Sequence, residues 1–334
     1  PAIYILRKSK REIGVCIFLF FLPIIFFIHG NFQKKQFQNK EVEKLSYTIR
    51  IIGSNISLER FNNKIDTKKV INELISISSP VSNKKMFFVW PEGIIPNTYQ
   101  NEIFLYTDIF NESFSDNHLI GLGITKKESE NNEYKFYNSF SIFDNKLNLI
   151  KSYSKIKLVP FGEFLPFEKT LNRLGLKTIT NNFGSFARGN ERDIIEIDNS
   201  FLKNLKFLPL ICYEIIYSGN LTKNRNFNLI INISEDGWFG ESIGPKQHFA
   251  HSIYRAIESG KYILRSSNNG MAAIINPLGE IEKYIEFGNS GFIDFEEKRV
   301  LSKTIFSTHG NKIFMILILL YIFLIFSFNR IRNE

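Results

Sequence analysis

With 334 residues, 44% of them apolar and 34 of them Phe, the chain can bury a sizeable core and still spare apolar stretches for another purpose. Its formal charge of +9 is not laid out as a basic stripe with interleaved stacking aromatics, which argues against a nucleic-acid partner; small Lys/Arg clusters flank two hydrophobic spans instead, as at a membrane surface. Only two cysteines occur, and no paired-Cys or His-Glu-x-x-His spacing exists, so no disulfide framework, metal or other cofactor is expected.

In chain order, the first feature is an uncharged run from Ile13 to Ile28, preceded by Arg7, Lys8, Lys10 and Arg11. It is shorter than the ~20 residues of a typical spanning helix, but flanking basic side chains snorkel, and Pro23 is tolerable in a membrane helix. A signal peptide is the rival reading; against it, His29-Gly30-Asn31-Phe32 offers no small-x-small cleavage site. Cys16 lies inside this run, which makes a disulfide with Cys212 implausible. A second run, Ile313 to Phe328, is bracketed by Lys312 and by Arg330 and Arg332. Basic residues outside both spans put the termini in the cytoplasm and the intervening domain on the far side; Lys34 and Lys35 weaken that bias without reversing it. The chain opens on Pro1, so further spans upstream are expected. The expected organisation is a basic cytoplasmic flank (1–12), a transmembrane helix (13–30), a linker (31–45), a large intervening domain (46–300), a linker (301–312), a second transmembrane helix (313–328) and a cytoplasmic tail (329–334).

Between the spans, strands alternate with helices, the pattern of an α/β domain. Tyr47 to Ile52 reads as a strand, and Asp66 or Thr67 caps a helix with Val70, Ile71, Leu74 and Ile75 on one face. Met86 to Val89 is a strand ending at Trp90-Pro91-Glu92. Leu119 to Thr125 and Tyr134 to Phe143 are strands joined by a polar turn, Lys126 to Glu133. Phe207 to Ile211 is a short apolar run of the buried-strand kind, ending on Cys212-Tyr213-Glu214. Leu229 to Ile233 precedes Ser234-Glu235-Asp236-Gly237-Trp238-Phe239-Gly240. A helix from about Pro245 places Phe249, Ile253 and Ile257 on one face and stops at Gly260. Tyr262 to Leu264 and Met271 to Ile275 follow, then the turn Asn276-Pro277-Leu278-Gly279 and a last strand, Glu280 to Tyr284.

Three positions stand out for their chemistry. Cys212 sits at a strand's C-terminal end, where open α/β sheets gather their ligands. It reads either as a small buried hydrophobe or as a nucleophile, and a thiol needs an adjacent base or cation to become reactive. Glu92 reads as a surface glutamate or as a general base, with the proline fixing its backbone and Trp90 shielding the carboxylate. Lys155, in Tyr153-Ser154-Lys155-Ile156-Lys157-Leu158-Val159-Pro160-Phe161-Gly162-Glu163, reads as a snorkelling lysine or as the stabiliser of an oxyanion, with Glu163 its partner or another surface carboxylate. A Cys-His pair using His248 or His251 is the rival arrangement.

Trp90-Pro91-Glu92, the Lys155 to Glu163 segment and Ile211-Cys212-Tyr213-Glu214 resemble the Glu-Lys-Cys motifs of the nitrilase superfamily. Lys155-x-x-Leu-Val-Pro-Phe-Gly-Glu163-Phe-Leu-Pro, Asp236-Gly-Trp-Phe-Gly240, Gln247-His-Phe249, Arg255-Ala-Ile-Glu258 and Leu264-Arg-Ser-Ser-Asn-Asn-Gly270 are similar to its membrane branch, the apolipoprotein N-acyltransferases, over nearly the whole chain. The resemblance implies an α-β-β-α sandwich facing the periplasm of an inner-membrane protein. It implies transfer of an acyl chain from a phospholipid to the cysteine as a thioester, then to the N-terminal amine of an apolipoprotein's diacylglyceryl-cysteine. On that match Glu92 is the base, Lys155 the oxyanion stabiliser and Cys212 the nucleophile, with Glu163, Tyr213 and Glu214 in support. A membrane-tethered amidase, passing the acyl group to water, is the alternative; a catalytically silent scaffold is disfavoured because all three positions are filled.

The chain departs from the family pattern in two places. Asn55-Ile56-Ser57 followed by Phe61 stands where Asn-Ile-Pro and a Trp are common, and Glu235 stands where Asn is usual, which bears on substrate fit more than on chemistry. The apolar stretch Phe164-Leu165-Pro166-Phe167, continued by Leu171 to Leu176, is either core or a lid dipping into the membrane interface, with Trp238 and Phe239 on the same rim.

Overall fold

A computed structural model describes residues 10–62, 65–130, 133–167, 184–198, 202, 204–219, 221–222, 226–301 and 304–332. The described residues up to Glu43, with Arg299–Leu301, form one unit. It contains helix α1, Lys10–Gln38, which runs past the expected end at residue 30 into the stretch anticipated as linker. Its segment Ile17–Gln38 is, among the described residues, the one helix long and apolar enough to cross a membrane. The second unit holds everything else. At its C-terminal end are the short helix α5, Ile305–His309, and helix α6, Lys312–Arg332, whose apolar segment Lys312–Phe323 is shorter.

The second unit is built on twelve strands: β1 Glu43–Ser54, β2 Met86–Val89, β3 His118–Glu130, β4 Glu133–Asp144, β5 Leu149–Ser154, β6 Ile195–Ile197, β7 Leu205–Ile211, β8 Leu229–Glu235, β9 Tyr262–Asn268, β10 Ala272–Ile275, β11 Ile281–Ile285 and β12 Gly291–Lys298. They pair in the order β5-β4-β3-β2-β1-β9-β8-β7-β6, with β10 against β9 and β11, and β12 against β1. From β3 through β2, β1, β9 and β8 to β7 every pairing is parallel. Strands β3, β4 and β5 are successively antiparallel, so β5 ends on the same edge as the parallel set. The parallel strands read as continuous apolar runs because both faces are covered.

Strands β1 and β9 share only two paired positions, Gly53↔Ser267 and Ser54↔Asn268. At this short seam the sheet folds on itself, so that Phe207 of β7 meets Phe87 of β2 and Phe140 of β4, each ring pair 6.1 Å between centroids. Outside one half, helices α2 (Thr67–Ser78) and α3 (Thr107–Ser113) cover a core of Val70, Leu74, Phe88, Trp90, Phe110 and Ile120. Outside the other, helix α4 (Gly244–Ser259) covers Leu208, Leu210, Ile230 and Ile263. The result is the expected α-β-β-α sandwich. Helix α2 begins where predicted: the Asp66 side chain accepts the Lys68 N–H at 3.1 Å, and the helix ends at Ser79 in a left-handed cap.

Several expected boundaries differ. The polar stretch Lys126 to Glu133 is mostly not a turn: β3 and β4 pair on to Glu130↔Glu133. Cross-strand contacts hold these half-buried and exposed residues, with the Lys127 ammonium 4.1 Å from the Tyr134 ring centroid. Glu280 to Tyr284 is not the last strand, because β12 follows and pairs with β1; Arg50 of β1 grips Asp294 of β12 through two nitrogens, each at 2.7 Å. Helix α4 buries His248, Phe249, Ser252, Arg255 and Ala256, while Ile253 is half-buried and Ile257 exposed. Its inner face is partly polar because it lies over the polar turn that follows β7 and the buried Asp236.

One glycine sets how closely the end of β2 approaches β3. A Cβ on Gly123 would lie 2.5 Å from the Glu92 Cα and 2.6 Å from the Gly93 nitrogen, both backbone atoms. Gly123→Ala is therefore expected to cost about 1–3 kcal/mol in chemical denaturation. Gly291→Ala, whose nearest neighbour would be 3.9 Å away, stays within about 0.5 kcal/mol of the parent.

Candidate active site

The edge where β1, β2, β5, β7, β8 and β9 end gathers the polar residues of the domain. At the end of β7 the chain turns at once into a 3-10 turn, Cys212–Ile216, with Cys212 itself at φ +48°. A left-handed cysteine costs about 1–3 kcal/mol and persists only where its surroundings impose it. Glu214 is what imposes it. This fully buried carboxylate accepts the Ile211 N–H (3.0 Å), the Tyr153 hydroxyl (2.9 Å), the Ile156 and Lys157 N–H groups (3.0 and 3.1 Å) and Arg192 Nη2 (2.7 Å). One side chain thus ties the Cys212 turn to the segment carrying Lys155. Burial first, and then the Glu214 charge, push the Tyr153 hydroxyl far above its ordinary range, so it donates.

Lys155 follows β5 and is 1% exposed. Its Nζ donates to Glu163 Oε1 (2.9 Å) and Glu92 Oε1 (3.1 Å). Asn138 of β4 donates its side-chain amide to the same two oxygens, at 2.8 and 2.7 Å, and its backbone carbonyl accepts the Lys155 backbone N–H at 2.8 Å. The other oxygen of Glu163 accepts the Val159 N–H (2.9 Å), and that of Glu92 accepts the Glu235 N–H (3.0 Å). Glu92 and Glu163 are both buried, which removes the surface-carboxylate readings; the burial of Lys155 removes the snorkelling one. Trp90 does not shield Glu92. Its indole packs on Phe110 and Phe114 and donates to Ser78 Oγ at 2.8 Å, so the groups holding Glu92 are polar.

Burial alone would discharge Lys155; Glu163 and Glu92 overcome it and hold its pKa well above the ordinary value. Cys212, 8% exposed, is pushed the other way from reactivity. Burial, then the Glu92 charge, raise its pKa well above that of a free thiol, while Lys155 draws it down. The resting site therefore holds a neutral thiol facing an ammonium and a carboxylate.

Next to it, Asp236 accepts Arg265 Nη2 at 2.8 Å, Ser234 and Ser267 hydroxyls at 2.8 and 3.1 Å, and lies 2.9 Å from His248 Nδ1. Despite its burial, Arg265 and then His248 hold Asp236 well below the ordinary carboxylate range. His248 is engaged there as a strut, and half-buried His251 has its pKa lowered chiefly by burial. The charges that act on Cys212 are those of Glu92, Lys155, Asp236 and Glu163, with neither histidine among them.

The rim residues separate. Phe167 is 86% exposed, Phe164 is half-buried, Trp238 lies 5.0 Å from the Phe61 ring and Phe239 5.4 Å from that of His248. Tyr213 packs edge-on to Tyr217 at 6.1 Å. Leu171 to Leu176 lie outside the described residues. Asn138 and Arg192 were not anticipated; the only signal was a buried-type position in β4 occupied by an amide.

The profile of the carbon-nitrogen hydrolase family matches residues 66–300. The chain belongs to that family. It is 31% identical over 254 residues to the apolipoprotein N-acyltransferase of Rhizobium leguminosarum bv. trifolii, covering 74% of this chain and 47% of that protein. It is 33% identical over 319 residues to that of Wigglesworthia glossinidia brevipalpis, covering 89% and 59%. The chain thus spans about half the length of the curated relatives it matches. Among solved structures, an amidase from Nesterenkonia sp. shares the fold with a TM-score of 0.51 at 12% identity, over 76% of this chain and 92% of that one.

The electrostatics of this carbon-nitrogen hydrolase site give a signed prediction for Cys212. Glu92 opposes thiol ionisation and Lys155 favours it. The pH profile of iodoacetamide alkylation, read by peptide mass, should therefore move to lower pH in Glu92→Gln and to higher pH in Lys155→Met.

Proposed function

We propose that this chain carries the catalytic domain of a membrane N-acyltransferase, which moves an acyl chain from a phospholipid to the N-terminal amine of a diacylglyceryl-cysteine apolipoprotein. The observation that carries the reading is a fully buried ammonium held between two carboxylates beside a buried thiol at the strand-end edge. The extent of similarity to apolipoprotein N-acyltransferases supports the substrate class.

In this reading Glu92 accepts the Cys212 proton as the sulfur attacks the ester carbonyl carbon. The negative charge developing on the carbonyl oxygen falls beside the Lys155 ammonium, which Glu163 keeps charged and oriented. Collapse of the tetrahedral species breaks the ester C–O bond; Glu92 returns its proton to the departing alcohol oxygen, leaving a thioester on Cys212. In the second half, Glu92 takes a proton from the acceptor amine as nitrogen attacks the thioester, and the C–S bond breaks. The proton passes back to the sulfur. Ester and amine have become alcohol and amide, and the site is restored.

The proposed organisation keeps the two apolar runs as membrane helices, 13–30 and 313–328, around the catalytic domain at 46–300. The termini lie in the cytoplasm and the site faces the periplasm of the inner membrane, by the distribution of Lys and Arg. In this reading the exposed Phe167 is the side chain an entering acyl chain meets first.

The test is N-acylation of a diacylglyceryl-cysteine peptide by the full chain in phospholipid–detergent micelles, followed by mass spectrometry. Cys212→Ala should give no product, and Lys155→Met, which leaves Glu92 and Glu163 buried without their cation and whose fold is checked by circular dichroism, should fall by about 10²–10³-fold or more. Parental turnover in Cys212→Ala would overturn the reading.

A further inference from the structure

We infer that Arg60 and Glu235 form a buried positioning pair that aims the Glu92 carboxylate, an inference that rests on the proton-transfer role proposed for Glu92. Glu235, at the end of β8, is 1% exposed, and a carboxylate buried there needs compensation. The compensation comes from Arg60, in the 3-10 turn Leu58–Asn62 after β1. Both side chains are essentially inaccessible, at 0% and 1%, and Arg60 Nη2 is ion-paired to Glu235 Oε2.

The rest of each side chain is committed to the same place. Arg60 Nη1 donates to the Ile56 and Ser57 carbonyls (3.2 and 3.1 Å), its Nε to the carbonyl of Gly93 (3.4 Å), and its guanidinium lies 4.2 Å from the Phe61 ring centroid. Glu235 accepts Asn268 Nδ2 (2.7 Å), Asn269 Nδ2 (3.1 Å) and the Gly237 N–H (2.8 Å). A Cβ on Gly237 would come within 2.8 Å of Glu235 Oε1, so the turn is closed tightly over this carboxylate.

The pair reaches Glu92 from two sides. The backbone N–H of Glu235 donates to Glu92 Oε2 at 3.0 Å, and Gly93, whose carbonyl accepts from Arg60, is the next residue after Glu92. Four strand ends, those of β1, β2, β8 and β9, are thereby fixed to one another around the oxygen that does not touch Lys155. A buried ion pair with one partner removed leaves an uncompensated charge, whereas removing both leaves a neutral, packable site. Truncating Arg60 alone should therefore displace the Glu235 turn and its N–H from Glu92. Neutralising both partners should let it return.

A leaving-group comparison separates aiming of Glu92 from general support. Acylation of Cys212 in the full chain is measured in single turnover, with a tagged-acyl phospholipid and with the p-nitrophenyl ester of the same acyl chain. The phospholipid alkoxide must be protonated as it leaves; p-nitrophenolate need not be. Glu92→Gln sets the reference, with a much larger loss on the phospholipid than on the nitrophenyl ester. Arg60→Met should lose about tenfold on the phospholipid and less than about threefold on the nitrophenyl ester, and Arg60→Met/Glu235→Gln should recover to within about threefold of the parent. If Arg60→Met does not fold, Arg60→Lys, which keeps the charge but not the fork, takes its place against the same double variant. Equal losses on both esters, no loss in a folded Arg60 variant, or no recovery in the double variant would each overturn the positioning role. A Glu92→Gln protein without leaving-group dependence would instead sink the proton-transfer reading, and the pair's role with it.

Discussion

The structure depends on keeping one ammonium charged where water does not reach. Isolating Lys155 from solvent costs several kcal/mol, and the chain offsets this with two carboxylates at 2.9 and 3.1 Å. Those carboxylates are costly in turn and are satisfied by groups that have no chemistry of their own: the Asn138 amide and the N–H groups of Val159 and Glu235. The cluster is therefore held by its neighbours before any substrate arrives, which is what a site needs if charge is to be stabilised without reorganisation.

The fold supplies these partners by folding a largely parallel sheet at a two-residue seam. Strands β5 and β7 belong to opposite halves of the strand order, yet Lys155 follows one and Cys212 the other. Glu214 closes the gap by bonding the backbone on both sides of it. Asp236 with Arg265 and His248 braces the end of β8, and Arg60 with Glu235 braces the end of β2. Three buried carboxylates serve three joints, which explains why so much polar surface is buried at one edge of an otherwise apolar sandwich.

Much of this was legible in the sequence, because the strands that carry Glu92 and Cys212 are short apolar runs with abrupt polar ends. The capping of α2 by Asp66 and the stop of α4 at Gly260 followed from local chemistry. What was not legible depends on contacts distant in the chain. Asn138 looks like any polar strand residue until β4 is set beside β5 and the end of β2. The strand β12 carries Asp294 and Glu296, whose charge hid it; their partners Arg50 and Thr48 lie some 240 residues earlier. The Lys126–Glu130 ladder has no apolar period to betray it. Trp90 was expected over Glu92, but its ring belongs to the core under α2 and α3, where the indole donates to Ser78 of α2.

The central claim is that Cys212 carries the acyl group between two partners, and the intermediate itself tests it most directly. The full chain is incubated with a phospholipid bearing a tagged acyl chain and no acceptor. The account predicts a label on the peptide containing Cys212, absent from that containing Cys16, cleaved by neutral hydroxylamine and discharged onto the amine of an added diacylglyceryl-cysteine peptide. Rapid release as free fatty acid regardless of acceptor would make the protein a hydrolase, and a label that survives Cys212→Ala would contradict the account.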